Sequence, residues 1–245
     1  MQNASDMMVM KWDDEVALIA QKWAENCKIT HDGSLQRMVL GRFSVGQNIA
    51  WGPASLTWKQ VVAVWYKEIE DFHYNISAKN AGHYTQVVWA KSAVLGCGYA
   101  LCGKTHFYVC NYAPSGNMVG KQTTPFTPGK ECGQCNNNCT AGLCDCDGKV
   151  CENGGTLDLA TCKCKCLPSY DEANTCRLNC STVTDNSNCG DFFKKDQCTK
   201  VPSVTFHCPK LCGLCSDNND SATKNKGKQL NLILPILLIM FTPFY

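Results

Sequence analysis

The chain begins with a segment in which apolar and polar residues recur at a helical period. Residues 11–27 open with an acidic cluster and continue with apolar positions separated by polar ones. The apolar face consists of Val16, Ile19, Ala20 and Trp23. This spacing predicts an amphipathic helix, and Asp13 or Asp14 is suited to begin it because a carboxylate accepts hydrogen bonds from the first free N–H groups.

A second helix is predicted to start near Ser55. The stripe on its buried face consists of Val61, Trp65, Glu68, Ile69 and Phe72. Three short runs of strand composition follow, at Tyr84–Trp89, Val94–Ala100 and His106–Tyr112. Glycine and lysine turns separate these runs. Because the helices come first and neighbouring strands come after them, the pattern predicts an α+β fold rather than a parallel sheet.

Glu68 is the polar exception on the stripe of the second helix. It lies three residues after Trp65 and seven after Val61, so its side chain shares their face. An unpaired buried carboxylate costs several kcal/mol, and Glu68 therefore needs a charged or hydrogen-bonding partner. The alternative is a glutamate at the edge of the helix whose carboxylate reaches solvent past its apolar neighbours.

Cysteine content divides the chain into two regions. Of the 20 cysteines among 245 residues, four lie in residues 1–131 and sixteen in residues 132–215. The second region has few aliphatic side chains, so disulfides must stabilise it. An even and dense set of cysteines is typical of an oxidising compartment and argues against a cytosolic enzyme. Residues 121–131, with two prolines and a glycine, are predicted to be the linker.

The charge of the chain is balanced. Lys and Arg number 23 against 21 Asp and Glu, which gives a formal net charge of +2. Nucleic-acid binding usually needs a clustered basic face. We therefore expect no nucleic-acid partner.

The C-terminal end predicts attachment to a membrane. Residues 230–245 are an apolar run with two prolines, and residues 216–229 before it are a polar spacer that contains small residues. This order is typical of a glycolipid (GPI) anchor signal, and a short single-pass span is the alternative. Both require the secretory pathway, whereas the apolar run at 7–10 is too short for a signal peptide. We expect that a signal peptide precedes the sequence.

Five ordered segments within residues 7–120 resemble a known family. Two of them are Gly82–Trp89, with the sequence GHYTQVVW, and His106–Asn117, with HFYVCNYAPSGN. The other three are Trp23–Cys27 followed by His31, Gly46–Ile49, and Trp65–Phe72. Together they resemble the CAP superfamily, which groups the cysteine-rich secretory proteins, insect venom antigen 5 and the plant pathogenesis-related 1 proteins.

The resemblance implies a fold and a cleft. The implied fold is a three-layer α-β-α CAP sandwich with a central antiparallel sheet over residues 1–120, followed by small disulfide-rich modules. The cleft residues that it implies are His31, Gln47, Glu68 and His83. Gln47 stands where the family usually has a glutamate. The disulfides that it implies in this domain are Cys27–Cys102 and Cys97–Cys110.

The implied cleft is suited to a weak metal site more than to catalysis. His31 and His83 together are a sparse site for zinc or copper, with Glu68 or water as further ligands. Glu68 is the one candidate base, since Gln47 does not titrate and no motif places a serine or free cysteine as nucleophile. The alternative is that the histidines form a hydrogen-bonded cluster that orders the cleft.

The last cysteines resemble an ShKT (sea-anemone-toxin-like) module over residues 180–215. The resemblance implies the pairs Cys180–Cys215, Cys189–Cys208 and Cys198–Cys212. Channel-blocking members place a lysine beside an aromatic residue. Here Lys200 is followed by Val201, and Phe206 has neither lysine nor arginine beside it. We therefore favour a structural or docking role over a channel blocker.

Residues 132–176 are predicted to contain a cysteine-rich hinge and an EGF-like module. The resemblance to an EGF-like module rests on Cys151, Cys162, Cys164, Cys166 and Cys176, of which Cys166 and Cys176 are expected to be in disulfides, and its first cysteine is either Cys144 or Cys146. The close pair Cys132 and Cys135 also has zinc-ligand spacing, but a secreted context favours disulfides.

Five Asn-x-Ser/Thr sequons occur in the chain. Asn75 is the best glycosylation acceptor among them because it lies in a predicted loop.

Three functions are compatible with these features of the sequence. The first is a non-enzymatic extracellular or cell-surface protein that binds a sterol, a fatty acid or another apolar ligand, with Trp51, Trp58 and Trp65 near it. The second is a modulator of an ion channel, membrane receptor or other extracellular protein that acts through the cysteine-rich tail. The third is a metal-dependent hydrolase that uses His31, His83 and Glu68, which the loss of a titrating group at Gln47 disfavours.

Overall fold

A four-stranded sheet forms the centre of the first domain. The computed structural model describes residues 2–40, 42–167, 170 and 175–215. The strands are β1 (Lys11–Trp12), β2 (Gly46–Gly52), β3 (Val94–Cys102) and β4 (Thr105–Ala113), and their order in the sheet is β1-β3-β4-β2. The pairs β2–β4 and β3–β4 are antiparallel, and the short β1 is parallel to β3.

One face of the sheet is covered by α1 (Asp14–Glu25). Asp13 caps this helix by accepting the N–H groups of Glu15 and Val16, as the acidic opening predicts. Two glycines of β3, Gly96 and Gly98, lie under the helix, where an added Cβ would collide with the backbone of α1. Their lack of a side chain therefore allows the helix to lie close against the sheet.

The opposite face is covered by α2 (Trp58–Lys67), a 3-10 helix (Glu68–Asp71) and α3 (Gly82–Val87). A capping box between Thr57 and Gln60 begins α2. The side chains buried at this interface include Val61, Val62, Trp65, Leu95, Tyr108 and Tyr112. The result is a helix–sheet–helix sandwich, which confirms the α+β fold class.

The strand predicted at Tyr84–Trp89 is wrong. Residues 82–87 are helical, and the three successive side chains Tyr84, Thr85 and Gln86 are all buried, which the alternation of a strand does not allow. The carboxylate of Glu68 accepts the N–H groups of His83 and Tyr84 and so satisfies the first turn of a helix. A contact distant in sequence outweighs the strand propensity of the segment.

The cysteine-rich region has little regular structure. It contains the two-stranded ladders β5 (Cys139–Thr140) with β6 (Leu143–Cys144) and β7 (Thr156–Asp158) with β8 (Lys163–Lys165). A 3-10 helix (Lys195–Gln197) and the short α4 (Pro202–His207) follow.

All twenty cysteines form ten disulfides. Cys27–Cys102, Cys97–Cys110, Cys180–Cys215, Cys189–Cys208 and Cys198–Cys212 are the five pairs that the resemblance implied in full. The region between them contains Cys132–Cys139, Cys135–Cys144, Cys146–Cys162, Cys151–Cys164 and Cys166–Cys176. Cys144 pairs with Cys135 in the hinge, so Cys146 is the first cysteine available to the module predicted within residues 132–176.

The hinge is not separate from the first domain. Cys144 exchanges backbone hydrogen bonds with the N-terminal segment, donating to Met7 O and accepting from Val9 N. Cys132, Cys135, Cys144, Cys146 and Val150 share one hydrophobic cluster with Met8, Val16, Val45 and Val94. The predicted linker also packs on this domain, since Pro125 O accepts from Ala90 N and Thr123 O accepts from Asn75 N.

Membrane attachment concerns residues that the structure does not describe. The predicted polar spacer at 216–229 and anchor signal at 230–245 both lie outside the described residues. Within the described part of the chain, no helix is long and apolar enough to cross a bilayer.

Candidate functional site

Glu68 and His83 form one half of the predicted cleft. Glu68 follows α2 directly, and its Oε1 lies 2.6 Å from His83 Nδ1. Its Oε2 accepts from the backbone N of His83 at 2.8 Å and of Tyr84 at 3.2 Å. The ring of His83 stacks on Trp65 at 6.0 Å between centroids. The carboxylate thus has the hydrogen-bonding partners that its place on the apolar stripe requires.

His31 and Gln47 form the other half. His31 Nδ1 lies 2.8 Å from Gln47 Oε1, and Gln47 Nε2 donates to Asn111 Oδ1 at 3.1 Å. Because the amide group of Gln47 is already a donor to Asn111, its oxygen is the acceptor and His31 Nδ1 carries the proton. Asn111 Nδ2 is buried without a partner among the described residues.

Strand β2 connects the two halves. Asn48 is the neighbour of Gln47 on this strand, and its Nδ2 donates to the backbone oxygen of His83 at 3.1 Å. Asn48 is buried and also contacts the hydroxyl of Tyr112. Adjacent residues of one strand therefore hold both histidine segments.

The hydrogen bonds determine which ring nitrogens remain available. In both histidines Nδ1 is bound to a side-chain oxygen, Glu68 for His83 and Gln47 for His31. A ring whose Nδ1–H is donated to an oxygen presents Nε2 as its lone-pair donor. The Nε2 atoms of His31 and His83 are accordingly the atoms suited to a metal ion.

Among the described residues, one group of three side chains that can ligate a metal lies close together, and this group is outside the cleft. It consists of Cys151, Cys164 and Cys176, whose sulfur atoms lie within 4.8 Å of one another. All three are in disulfides and so lack the thiolate that a metal ion needs. His31, Glu68 and His83 do not form such a compact trio.

The tyrosines next to the cleft are not acid–base groups near neutral pH. Burial raises the pKa of Tyr84 to about 12, and a smaller effect comes from neighbouring Tyr66. Burial also raises the pKa of Tyr112, although its hydrogen bond with Asn48 opposes the change. Both phenols therefore remain protonated.

Two of the three tryptophans expected near an apolar ligand pack inside the first domain, and the third faces solvent. Trp65 is fully buried and donates its Nε1–H to Ile49 O at 3.2 Å. Trp58 packs edge-on against Tyr108 at 4.7 Å, and Trp51 is exposed. Trp65 and Trp58 thus belong to the packing of α2 on the sheet.

A cavity lies where the CAP-like domain meets the cysteine-rich region. This junction cavity has a volume of about 450 Å³. Its apolar lining includes Met8, Trp89, Ala93, Val150, Leu157 and Leu159. No sequence pattern indicates this cavity, because its walls come from segments between residues 6 and 165 that only the fold brings together.

The remaining predicted positions lie at the surface. Asn75 is exposed in a turn closed by His73 and Ser77, and its own φ is 58°, which asparagine tolerates well. Lys200 is exposed and pairs with Asp196 at 2.8 Å.

Comparison with known proteins gives consistent matches. The model of the cysteine-rich secretory protein family, CAP, matches residues 3–112. The chain is 36% identical over 229 residues to cysteine-rich venom protein Mr30 of Conus marmoreus, a match that covers 87% of this chain and 74% of that protein. It is 33% identical over 231 residues to a cysteine-rich venom protein of Conus textile, covering 89% and 76%.

Solved structures include a similar chain. The crystal structure of NaASP2 with Zn2+ is 29% identical, with a TM-score of 0.49, and the match covers 58% of this chain and 79% of that chain.

Proposed function

The chain belongs to the cysteine-rich secretory protein (CAP) family, and from this premise we propose that it is an extracellular, non-enzymatic protein that binds a small apolar ligand in the junction cavity. The extracellular location is supported by ten disulfides and by relatives that are cysteine-rich venom proteins. The anchor or span predicted at the C-terminus would keep the protein at the cell surface.

The junction cavity is the observation that supports ligand binding. Its volume of about 450 Å³ falls within the range of roughly 300–1,000 Å³ that is usual for small-molecule sites, which often lie between domains. Eleven of its nineteen lining residues are apolar, and the other eight are polar or charged. A pocket of this composition favours a sterol, a fatty acid or a molecule of similar size over a polar substrate.

The hydrogen bonds of the cleft argue against an enzyme. Glu68, the one candidate base, accepts three hydrogen bonds from His83 and Tyr84. A carboxylate in this arrangement orients a histidine and caps a helix more readily than it removes a proton from a substrate. Gln47 adds no titrating group.

A co-purification experiment tests the proposal. The full chain, secreted from a eukaryotic host, is extracted with organic solvent and the extract is analysed by mass spectrometry. The variant Ala160→Trp fills the rim of the cavity, and Ala54→Trp places the same side chain at an exposed alanine outside it. We expect an apolar molecule in near-stoichiometric amount with wild type and Ala54→Trp, and little with Ala160→Trp.

Two results would contradict the proposal. One is a protein that carries no apolar molecule and binds neither cholesterol nor lauric acid added in solution. The other is a ligand that both tryptophan variants retain equally.

The cleft supports a second, weaker function as a zinc or copper site. His31 and His83 would bind the ion through Nε2, since Nδ1 of each ring is already bound to an oxygen. A bound dication would add a fixed positive charge, while Glu68 and Gln47 would orient the two rings. Gln47 brings no charge, so the affinity should be low.

A further inference from the structure

Three sulfur atoms from two different disulfides lie together in the cysteine-rich region. The Sγ atoms of Cys151, Cys164 and Cys176 are within 4.8 Å of one another. Cys151 is bonded to Cys164, whereas Cys176 is bonded to Cys166, which is not a member of this group. The sulfur of Cys176 therefore lies beside both sulfur atoms of a bridge to which it does not belong.

Gly155 provides the space that this arrangement needs. A Cβ atom at Gly155 would lie 2.5 Å from the Sγ of Cys176 and 3.1 Å from the Cβ of Cys151, and the first of these distances is too short for any real side chain. Asn153 holds the backbone of Cys176 in place, since its Nδ2 donates to Cys176 O at 2.8 Å. The fold thus brings Cys176 close to the neighbouring bridge.

The two bridges differ in their access to solvent. Cys151, Cys164 and Cys176 are all buried, and Cys176 is 0% exposed. Cys166 is partly exposed. The rate of thiol–disulfide exchange depends on which sulfur a thiolate can reach. A thiol in solution therefore reaches Cys166 more readily than the other three sulfurs, and attack there expels Cys176 as the leaving thiolate.

We propose that these sulfurs form a thiol–disulfide exchange site for a small thiol such as glutathione. The thiol reacts as its thiolate, bonds to Cys166 and breaks the bond to Cys176. The freed Cys176 side chain turns towards the neighbouring bridge, bonds to Cys151 and releases Cys164 as a thiolate, or bonds to Cys164 and releases Cys151. One thiolate is consumed and one is produced, and two disulfides are present before and after, so no separate oxidant is needed.

The exchange site lies beside a contact between the cysteine-rich region and the first domain. Cys151 is followed by Glu152, whose carboxylate lies 3.0 Å from Arg42 Nε. The next residue, Asn153, donates its backbone N–H to Arg42 O at 2.6 Å. A change of pairing at Cys151 therefore acts on the turn that holds the two regions together.

Two variants that remove the same bridge test the exchange without any added thiol. Cys166→Ser leaves a thiol at Cys176, inside the group of sulfurs, whereas Cys176→Ser leaves one at Cys166, outside it. The free thiol of each secreted full chain is trapped with N-ethylmaleimide and mapped by peptide mass spectrometry. In Cys166→Ser we expect roughly a tenth or more of the label on Cys151 and Cys164, as exchange between bridges of similar stability gives. In Cys176→Ser the label should stay largely on Cys166.

The wild-type protein tests the same step independently of how the variants fold. Trypsin cleaves on both sides of residues 166–177, so the native bridge lies inside one peptide that is linked to no other. After incubation with glutathione and alkylation, we expect this peptide to carry glutathione at Cys166. We also expect it to be linked through Cys176 to a peptide that contains Cys151 or Cys164, a link that native pairing does not produce.

The outcomes that would overturn the proposal are equally specific. One is label confined to Cys176 in Cys166→Ser, or spread as widely in Cys176→Ser. The other is wild-type protein in which glutathione opens the bridge within residues 166–177 and no link to another peptide forms. Either result would mean that the three sulfurs are close only because the module is densely packed.

Discussion

Glu68 is the residue that connects the cleft to the fold. Ala81, at the N-cap of α3, supplies no side-chain hydrogen bond, and the carboxylate of Glu68 takes that place by accepting from His83 N and Tyr84 N. A negative charge is also favourable at a helix N-terminus. The sequence indicated that Glu68 needed a partner, but it did not indicate that the partner was the start of another helix.

Replacing Glu68 should therefore destabilise the domain. We expect Glu68→Ala to lower the free energy of unfolding by about 1–3 kcal/mol, because it leaves partly buried N–H groups without an acceptor. Glu68→Gln should lose less, since its amide oxygen still accepts one of these bonds. Glu70→Ala is the control at an exposed neighbour. Urea unfolding measures all three, and equal stability of the two alanine variants would contradict this role.

Gln47 leaves the His31 half of the cleft without a carboxylate. We expect Gln47→Glu to increase zinc affinity, because a carboxylate beside His31 attracts a dication that an amide does not. The unpartnered Nδ2 of Asn111 offers the new carboxylate a donor if that amide turns over. Titration calorimetry with zinc chloride measures the change.

Three further proteins control the zinc experiment. His31→Ala and His83→Ala should abolish binding, whereas His106→Ala should not, since His106 instead contacts Tyr99 at 2.9 Å. Affinity should also fall on acidification, because protonated imidazole is not a ligand. Zinc bound equally by wild type and His83→Ala would mean that the cleft histidines have only a structural role.

At the level of elements, Arg42 joins the start of α1 to the cysteine-rich region. Its guanidinium contacts Asp13 at 3.0 Å and Glu15 at 2.7 Å, and also Glu152 at 3.0 Å. The Glu152 side chain is only 4% exposed, and its partners are Arg42 and, at a longer distance of 3.5 Å, Arg177.

Replacing Arg42 should destabilise the protein, because the buried carboxylate of Glu152 then loses its nearest positive partner. We expect Arg42→Gln to lower the free energy of unfolding by about 1–3 kcal/mol, because it removes a partner of the buried Glu152 carboxylate, although Arg42 is partly exposed and Arg177 remains 3.5 Å from Glu152. The double variant Arg42→Gln/Glu152→Gln should be more stable than the single one, because no buried charge remains unpaired. Lys11→Gln removes more exposed pairs with Asp145 and Asp147 and should cost about 0–1 kcal/mol.

Denaturant unfolding of the Arg42 series decides whether the buried charge matters. A double variant no more stable than Arg42→Gln would contradict the argument from an unpaired glutamate.

Local sequence predicted the first two helices well and the third not at all. Asp13 begins α1 as expected, and α2 begins at Trp58, near the predicted start at Ser55, because Thr57 and Gln60 form the cap. These signals lie within four residues of the helix starts. The first turn of α3 depends on Glu68, fourteen residues earlier than Gly82, and no local pattern contains that information.

For the whole molecule, the disulfides differ in what they stabilise. Cys135 and Cys144 are fully buried in the cluster that contains Met8 and Val16, so this bridge belongs to the core of the CAP domain. Cys180–Cys215 closes the C-terminal module instead. All six tryptophans lie within residues 12–89, so they report on the CAP domain and, through Trp89, on its junction with the hinge, but not on the C-terminal module.

Tryptophan fluorescence during thermal unfolding separates the two bridges. We expect Cys135→Ala/Cys144→Ala to lower the midpoint clearly, and Cys180→Ala/Cys215→Ala to change it little. Loop-closure entropy alone predicts the opposite order, since the sequence separations are 9 and 35. A larger decrease for the C-terminal pair would show that the hinge does not stabilise the CAP core.

For the whole molecule, the order of elements and motifs along the chain was the most informative feature of the sequence. The order of predicted helices and strands gave the α+β class, and the family resemblance gave the sandwich and five cysteine pairs that the structure also contains. The junction cavity could not be predicted from the sequence. Trp89 lies in the cysteine-poor region and Leu157 in the cysteine-rich region, and no sequence pattern indicates that the two are in contact. Their contact results from the packing of the hinge against the N-terminal segment.

Photoaffinity labelling tests the central claim, the position of the ligand, most directly. A fatty acid with a diazirine on its chain is bound to the full chain, irradiated and mapped by peptide mass spectrometry. We expect labels in residues 89–93 and 149–160. Labelling should be strongly reduced in Ala160→Trp and unchanged in Ala54→Trp. Labels concentrated on α2 around Trp58, and unchanged by Ala160→Trp, would contradict this position of the ligand.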